Sequence, residues 1–313
     1  MKKFIRRINC LHSATLQVNS TVGDILRSIR NVHSPIALVT GASTGIGKGF
    51  AQKLAADGYN LILVAKTGEG KLLDKVSGEL EEKHKVSVTS FTADFSTPQG
   101  VDKVTSIICT LPDLHILVNN AGFGEPGIFH RKDIRTLTDI LMVNVVAATR
   151  IAHAAIPVML SGINKGCDAG TYKTRGIINL SSLAVFTLYT PNIVYRSTKV
   201  FLKGFSDSLA FELRNTGIRV QVLCPGLTRT DMYTKLGYDE GHPIYDKYKF
   251  MTPAQVAERS IDYLKRNKVM CIPGFRNKLL AFILSNIPRR LFYAFYDRFM
   301  KGMGKVVKWE KGD

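Results

Sequence analysis

Short apolar runs alternate with longer helical patterns along most of this 313-residue chain. Alternation of this kind predicts a parallel sheet with helices on both faces, because each parallel strand needs a crossover helix to return the chain. We therefore expect an α/β fold built on one doubly wound parallel sheet, with ligands bound beyond the carboxyl ends of its strands. The predicted strands lie near 36–40, 60–65, 86–92, 114–119, 176–181, 218–223 and 269–272.

Two basic extensions flank the region that carries this alternation. Residues 1–34 contain six bases and one acid, and residues 275–313 contain nine bases and three acids. Residues 35–274 show no internal repeat and no linker between globular halves, so we predict one domain there. Both extensions are expected to be helical and basic, in a chain whose formal net charge is +18.

A glycine-rich turn follows the first apolar run. The run Pro35–Thr40 leads into Gly41–Gly47, here called the glycine turn, and an amphipathic helix follows. Glycines permit positive φ and let the backbone approach a phosphate closely. The N-terminus of the helix adds free N–H groups and the positive end of its dipole. An ordinary strand-to-helix connection would look similar, and the spacing differs from G-x-G-x-x-G.

The end of the second predicted strand bears on the choice of dinucleotide. Dinucleotide folds that prefer NAD usually place an acid there, on the ribose hydroxyls. This chain has Ala65 followed by Lys66, and a lysine can pair with a 2′-phosphate. The residue type favours NADP over NAD, although a surface lysine is the plain alternative in a protein this basic.

A tyrosine, a lysine and a serine form a candidate acid–base group. Tyr195 and Lys199 stand four residues apart, and Ser182 lies thirteen residues before the tyrosine. Residues four apart share a helix face, so the Lys199 ammonium is expected beside the phenol. A nearby cation lowers a phenol pKa from about 10 toward neutral pH. Taken alone, Tyr-x-x-x-Lys also occurs on solvated helix surfaces.

With these residues in order, the chain resembles the short-chain dehydrogenase/reductase family from about Ile36 to Gly274. The resemblance implies a single Rossmann-like sheet and a nicotinamide dinucleotide cofactor. It rests on six motifs in the expected sequence. They are Thr40–Gly47, Asp94, Asn119–Gly122, Asn144, Asn179–Ser182, in which the spacing to Tyr195 selects Ser182 over Ser181, and Cys224–Thr230.

The resemblance also implies roles for individual residues. Tyr195 would give a proton to the carbonyl oxygen, and Ser182 would hold that oxygen. Lys199 would bind the nicotinamide ribose and activate the phenol, while Asn144 would hold a water that relays protons. The implied cofactor-binding residues are Gly41, Ser43, Thr44, Gly45, Ile46, Gly47, Lys66, Asp94, Asn120, Ala121, Gly122, Tyr195, Lys199, Pro225, Gly226, Thr228 and Thr230.

Two features depart from the family pattern. Thr44 stands before Gly45, where many NADP-dependent members carry a base. About ten extra residues near Ser161 to Arg175 separate Asn144 from the strand that precedes Ser182, and their Gly, Lys and Asp content predicts a surface loop.

The implied reaction interconverts a ketone and a secondary alcohol, with the hydride chemistry belonging to the cofactor. Residues expected to line the cleft are mainly apolar or aromatic, which suits a lipid-like substrate such as a 3-oxoacyl chain or a steroid. They are Ala184, Phe186, Leu188, Ile193, Leu227 and the stretch Met232 to Tyr248.

A catalytically idle nucleotide-binding scaffold at a membrane or partner surface is the competing hypothesis.

Cysteine and histidine usage bears on metal binding and compartment. The five cysteines have no metal-ligand spacing and the seven histidines are scattered, so we predict no metal site. Cys224 ends an apolar strand and is expected to be a buried thiol. A reducing compartment fits this cysteine usage, and a cytoplasmic location is expected.

The N-terminal segment Met1–Ile8 lacks the long apolar core of a secretory signal. A transit peptide and a short amphipathic surface helix are both compatible with this N-terminus.

The C-terminal extension mixes apolar and basic residues. Its run Leu279–Leu284 is too short to span a bilayer, which takes about 20 residues. A peripheral membrane contact, a lid over the cleft and a dimer contact all fit this pattern. No nucleic-acid motif accompanies the charge, so nucleic acid is not expected as a partner. The expected partners are a small apolar carbonyl or alcohol and further copies of the chain, in a homodimer or homotetramer.

Overall fold

The computed structural model describes residues 35–164, 174–230, 243 and 249–294. Strands and helices alternate along these residues, as the sequence predicts. The strands are β1 (Ile36–Thr40), β2 (Asn60–Ala65), β3 (Val88–Thr92), β4 (Ile116–Asn119), β5 (Arg175–Leu180), β6 (Ile218–Leu223) and β7 (Met270–Cys271). The α-helices are α1 (Gly45–Ala56), α2 (Gly70–His84), α3 (Pro98–Thr110), α4 (Ile134–Leu141), α5 (Ala148–Asn164), α6 (Ile193–Glu212), α7 (Pro253–Lys265) and α8 (Phe275–Asn286).

The strands form one seven-stranded parallel sheet with the order β3-β2-β1-β4-β5-β6-β7. The order runs outward in both directions from β1, since Ala37 pairs with Leu61 of β2 on one side and with Ile116 of β4 on the other. The chain therefore reverses its winding between β1 and β4. In open α/β sheets the crevice outside the strand ends at such a point binds the ligand.

Both faces of the sheet are buried, which explains why its strands are continuous apolar runs. Leu38 of β1 faces a core layer built with α3, α5 and α6. Its neighbours Ala37 and Val39 face a second layer built with α1, α2 and α7. All three residues are fully buried. The doubly wound α/β fold predicted from the sequence is confirmed.

A long apolar helical stretch lies against the first of these layers. The stretch Ile134–Ile163 has 30 residues, and an 18-residue window within it has a mean hydropathy of 1.5, so length and composition alone would allow it to cross a membrane. It comprises α4, a π-helical segment over Met142–Ala147, and most of α5. Ile151 and Met159 are fully buried in the core layer, and 39% of that window is buried, so part of the stretch packs in the core of the domain.

Some predicted boundaries shift. The strand expected from 86 starts at Val88, because the register with β2 begins where Val88 faces Leu61. Residues 161–164 were expected in a surface loop, but α5 continues to Asn164. β5 begins at Arg175, whose guanidinium is buried in an ion pair with Asp113. Of the predicted loop, residues 165–173 lie outside the described residues, as do the N-terminal extension 1–34 and residues 295–313.

Candidate active site

The glycine turn has no room for side chains at two of its glycines. Gly41 has a φ of +65°, and a Cβ there would lie 2.8 Å from Nδ2 of Asn120. A Cβ on Gly47 would lie only 2.0 Å from the carbonyl oxygen of Gly41. The turn therefore folds tightly back on the first turn of α1, and this close approach explains why glycine occupies both positions.

Asn120 and Thr40 hold this turn against the end of β4. Nδ2 of Asn120 donates to the carbonyl oxygens of Thr40, at 2.8 Å, and Gly41, at 3.0 Å. Oγ1 of Thr40 accepts from the backbone N–H groups of Asn120 and Ala121, both at 3.0 Å. The motif after β4 thus fixes the shape of the glycine turn.

The start of α1 fits a bound pyrophosphate. Thr44 is the N-cap, but its side chain makes no capping hydrogen bond, and the first turn contains no acidic residue. The helix N-terminus therefore keeps its N–H groups and its positive dipole end for an anion. Gly41 and Gly47 allow the backbone to reach that anion. The residues present fit a dinucleotide phosphate, and the structure brings Ser43, Gly45 and Ile46 into the same turn.

Two side chains of opposite charge follow β2. Lys66 is exposed at the end of the strand, where a 2′-phosphate contact was predicted. Glu69, three residues on, accepts a hydrogen bond from the buried Ser43 hydroxyl at 2.5 Å. A carboxylate therefore lies against the glycine turn and opposes the charge of Lys66.

Asp94 lies just beyond β3. Its Oδ1 accepts from the backbone N–H of Ser96 at 3.0 Å and from the Ser96 hydroxyl at 2.7 Å. These hydrogen bonds hold the pKa of the Asp94 carboxyl below its usual value. The adenine contact predicted for Asp94 remains a prediction.

The loop after β6 closes one side of the site. The carbonyl oxygen of Pro225 accepts from the N–H of Leu183 at 2.9 Å, which joins this loop to the residue after Ser182. Thr228 bonds back to the carbonyl oxygen of Gly226 at 3.1 Å. A Cβ on Gly45 would lie 3.2 Å from Cγ2 of Thr230, so the loop also reaches the glycine turn.

Ser182 and Tyr195 meet at the carboxyl end of β5. Ser182 is the N-cap of a short 3₁₀-helix (Leu183–Phe186), and its Oγ accepts from the N–H of Ala184 at 3.1 Å. Tyr195 lies in the first turn of α6, near enough to Ser182 for the serine side chain to lower its pKa. A Cβ on Gly124 would lie 2.8 Å from the Tyr195 ring, so the loop after β4 packs closely against the tyrosine.

Lys199 lies beneath the tyrosine on the same helix face. Its Nζ is 5.3 Å from the centroid of the Tyr195 ring and donates to the carbonyl oxygen of Leu180 at 2.8 Å. The side chain is 2% exposed. A Cβ on Gly122 would lie 3.2 Å from Nζ, so the motif after β4 borders the lysine as well as the glycine turn.

Asn144 joins the group through the π-helical segment. Its Oδ1 accepts from the N–H of Phe123 at 3.1 Å, and its Nδ2 donates to the Phe123 carbonyl oxygen at 3.0 Å. Nδ2 also donates to Oγ1 of Thr198, next to Lys199, at 3.0 Å. Single π-helical turns inside α-helices often mark functional sites. The structure thus gathers all four residues proposed from the sequence, whose catalytic roles stay predictions.

The electrostatics of the tyrosine differ from the expectation. Burial of its hydroxyl raises the pKa of Tyr195 above 10, and the hydrogen bond with Ser182 offsets part of that rise. Burial also lowers the pKa of Lys199 to about 8. Spacing on a helix predicted a lower phenol pKa, but it carries no information on desolvation, which disfavours the charged form of both groups. The predicted direction for Tyr195 is therefore wrong in this structure.

The expected cleft is described in part. Ala184, Phe186 and Leu188 are half-buried, and Ile193 and Leu227 are partly exposed. The stretch 232–248 lies outside the described residues, except for Pro243. The helix α8 contacts the 3₁₀-helix after Ser182, and a Cβ on Gly226 would lie 2.6 Å from Oδ1 of Asn277 in α8. The start of the C-terminal extension therefore borders the cleft.

Three polar residues of the site received no role from the sequence, although Ser181 was weighed against Ser182 and set aside. Thr198 links Asn144 to α6, and its own hydroxyl donates to the Tyr195 carbonyl oxygen at 2.6 Å. Ser181 donates to the Lys199 carbonyl oxygen at 2.8 Å. Glu69 binds Ser43. Thr198 and Ser181 each adjoin a predicted catalytic residue, and that adjacency was the one signal available.

The described residues show how one predicted cysteine is buried and whether metal ligands come together. Cys224 is fully buried at the end of β6, as predicted, and burial raises its pKa to about 11. In residues 35–164, 174–230 and 249–294, no group of three or more His, Cys, Asp or Glu side chains is arranged to hold a metal ion.

Comparisons with known proteins agree with this architecture. Residues 35–241 match the family model described as short chain dehydrogenase. The chain is 36% identical over 205 residues to a very-long-chain 3-oxoacyl-CoA reductase of Pyrenophora tritici-repentis, a match that covers 63% of this chain and 55% of that protein. It is 30% identical over 219 residues to a 3-oxoacyl-(acyl-carrier-protein) reductase of Aquifex aeolicus, covering 70% of this chain and 82% of that protein.

A solved structure shows the same arrangement. The chain superposes on a short-chain dehydrogenase from Sphingobium yanoikuyae, in complex with NADPH, with a TM-score of 0.67 and 26% sequence identity. The match covers 89% of this chain and 98% of that one. The family model spans most of the chain, and the parallel sheet carries the family's motifs at the ends of its strands. The chain therefore belongs to the short-chain dehydrogenase family.

Proposed function

We propose that this protein is an NADP(H)-dependent reductase that interconverts a ketone and a secondary alcohol on an apolar, lipid-like substrate. The observation that carries the proposal is the convergence of Ser182, Tyr195 and Lys199 at the carboxyl end of β5, beside a glycine turn that fits a dinucleotide. A bound nicotinamide dinucleotide would supply the hydride. We further propose a cytoplasmic enzyme that assembles as a homodimer or homotetramer.

The side chains suit proton donation to a carbonyl. Burial keeps the Tyr195 phenol protonated at neutral pH, so it enters a reduction as the acid. Ser182 can hold the same carbonyl oxygen, because its side chain lies near enough to the phenol to affect the pKa of Tyr195. The Lys199 ammonium, 5.3 Å from the ring centroid, favours the phenolate left after the proton moves. Asn144 and Thr198 keep the loop after β4 and α6 in register around the lysine.

Tyr195→Phe tests the chemistry. The change keeps the ring and removes the hydroxyl, so we expect turnover to fall by about 10²–10⁴-fold while the Kd for NADPH stays nearly constant. The assay follows NADPH absorbance with a panel of ketones, and fluorescence titration gives the Kd. A Tyr195→Phe enzyme with the rate of the unaltered protein would contradict the assignment.

The preference for NADP rests on the exposed Lys66 at the end of β2. Lys66→Asp should move the preference from NADPH toward NADH, because a carboxylate repels a 2′-phosphate and accepts from a 2′-hydroxyl. Kd values for both cofactors measure the change. If the unaltered protein already binds NADH more tightly than NADPH, the interpretation of Lys66 is wrong.

Two observations support the proposed substrate class. The described cleft residues include Phe186, Leu188 and Leu227, which are apolar. Two relatives in the comparisons are named as 3-oxoacyl reductases. We propose a 3-oxoacyl chain, with a steroid-like ketone as the second candidate. Incubation with a lipid extract and NADPH, followed by mass spectrometry, should show the loss of a long-chain ketone and the gain of its alcohol.

A catalytically idle scaffold is the competing function. A scaffold would bind NADPH tightly, but no ketone of the panel would cause NADPH to be oxidised. The complete set of Asn144, Ser182, Tyr195 and Lys199 favours the enzyme, because a scaffold has no need to bury a lysine below a tyrosine.

A further inference from the structure

A strongly apolar surface begins where the dinucleotide-binding domain ends. The helix α8 is followed by a second helical segment over 289–294, and residues 275–294 together are called the C-terminal arm. Monomeric proteins rarely leave large apolar side chains exposed in one contiguous group. The exposed large apolar side chains of the arm, with their exposed fractions, are Phe275 80%, Leu279 50%, Leu280 43%, Phe282 68%, Ile283 49%, Leu291 49% and Tyr293 56%.

The same arm is basic. It carries Arg276, Lys278, Arg289 and Arg290, and no aspartate or glutamate lies between residues 275 and 294. All four basic residues are exposed. Exposed aromatic and aliphatic side chains beside basic ones are the combination that binds an anionic bilayer surface, where apolar insertion adds to attraction by acidic headgroups.

The arm is fastened to the domain beside the substrate cleft. Ala281 and Phe292 are its buried residues, at 3% and 6% exposure. Asn277 packs against Gly226, in the loop after β6, and donates to the Pro273 carbonyl oxygen at 2.6 Å. The helix α8 also contacts the 3₁₀-helix that begins after Ser182. A surface that binds the arm would therefore lie next to the cleft.

We propose that the C-terminal arm docks on an anionic lipid bilayer and thereby places the cleft at the membrane, so that an apolar ketone enters from the lipid phase. The docking half of this proposal does not depend on the reaction. The delivery half rests on the proposed function, because it requires a lipid-like substrate.

The charge of the C-terminal arm favours an anionic bilayer over a second copy of the chain as its binding partner. A symmetric dimer through the arm would set the same surface against itself. Four bases of one copy would then face four bases of the other, with no acidic residue between 275 and 294 to pair with them. An acidic bilayer complements both the apolar and the basic part of the arm.

Co-sedimentation of the full-length protein with vesicles tests docking. The vesicles are phosphatidylcholine alone or an equal mixture with phosphatidylglycerol. We expect binding to the acidic vesicles, weaker binding to neutral ones, and loss of binding at high salt. The double variant Leu279→Glu/Phe282→Glu should weaken binding to acidic vesicles by about tenfold or more, because two inserted side chains are lost and two negative charges are added.

Leu72→Glu is the matched control. Leu72 lies on α2 and is 41% exposed, so the substitution adds a carboxylate to an exposed apolar site outside the arm. It should bind vesicles like the unaltered protein. Equal binding by the double variant and the unaltered protein, or no binding by either, would overturn docking. Light scattering gives the molar masses of the double variant and of the unaltered protein. If these differ and neither protein binds vesicles, the arm mediates contact between copies of the chain, and docking is overturned.

The delivery half has its own readout. With a long-chain ketone held in acidic vesicles, the double variant should raise KM, while its kinetics with a short water-soluble ketone stay unchanged. Equal KM values for the vesicle-held ketone would overturn delivery even if docking holds. Tyr195→Phe should dock normally, so a failure of the proposed reaction leaves the vesicle result interpretable.

Discussion

Lys199 is buried as a cation, and the structure predicts that this arrangement costs stability. Its pKa falls from 10.5 to about 8 because burial disfavours the ammonium. A lysine with a lower pKa in the folded state binds fewer protons when folded, so this group opposes folding at pH below about 8. The penalty then diminishes as pH rises toward 10.5, the value for the unfolded chain.

Lys199→Met removes that penalty. At about 1.4 kcal/mol for each pKa unit, the buried charge costs about 3 kcal/mol at pH 7. The variant also loses the hydrogen bond from the charged Nζ to the Leu180 carbonyl oxygen, which is worth about 2 kcal/mol. We therefore expect Lys199→Met to raise the free energy of unfolding by about 1 kcal/mol at pH 7. By pH 10 the charge penalty should fall to about 1 kcal/mol, so the gain disappears.

Urea denaturation of the protein without added cofactor, at pH 7 and pH 10, measures both values. Lys203→Met is the matched control, because Lys203 lies one turn further along α6, and its partly exposed side chain pairs with Asp207 at 2.9 Å. The control should change stability by no more than about 0.5 kcal/mol at either pH. A Lys199→Met protein that is less stable at pH 7, or whose difference from the unaltered protein is independent of pH, would refute the reasoning. The variant should also lose activity.

Three further predictions concern the cofactor and the tyrosine. Glu69→Gln removes a carboxylate that binds Ser43 at 2.5 Å, so the ratio of NADPH to NADH affinity should rise by about tenfold in fluorescence titrations; an unchanged ratio would mean that Glu69 does not sense the 2′-phosphate. Gly47→Ala places a Cβ 2.0 Å from the Gly41 carbonyl oxygen, so NADPH binding should be lost and stability should fall by about 1–3 kcal/mol in urea denaturation; retained binding would show that the turn can adapt. Thr198→Val removes the acceptor for Nδ2 of Asn144, so kcat should fall while the Kd for NADPH stays constant; a change in Kd alone would indicate a role in cofactor binding.

Local chemistry explains why so much of the fold was predictable. Strands buried on both faces need continuous apolar runs, and the crossovers between them need helical patterns, so both signals repeat along the chain. The glycine turn was visible because the backbone itself must approach another backbone group closely there. Tyr195 and Lys199 were visible because one helix turn brings them together without help from the rest of the fold.

Contacts between distant segments could not be predicted in this way. Asn144 meets Thr198 across 54 residues of sequence, and Ser43 meets Glu69 across 26. Neither pair shares a local pattern, because the order of strands in the sheet is what brings the segments that carry them together. The same holds for Asn277 against Gly226, which sets α8 beside the cleft.

The sequence by itself determined the alternation of strands and helices, the glycine turn and the Tyr195–Lys199 pair, since each depends on interactions within a few residues. Only the tertiary structure decided the pKa directions of Tyr195 and Lys199, the partner of Ser43, and the position of the C-terminal arm. Desolvation depends on everything that surrounds a group, and that surrounding is assembled from segments far apart in the chain.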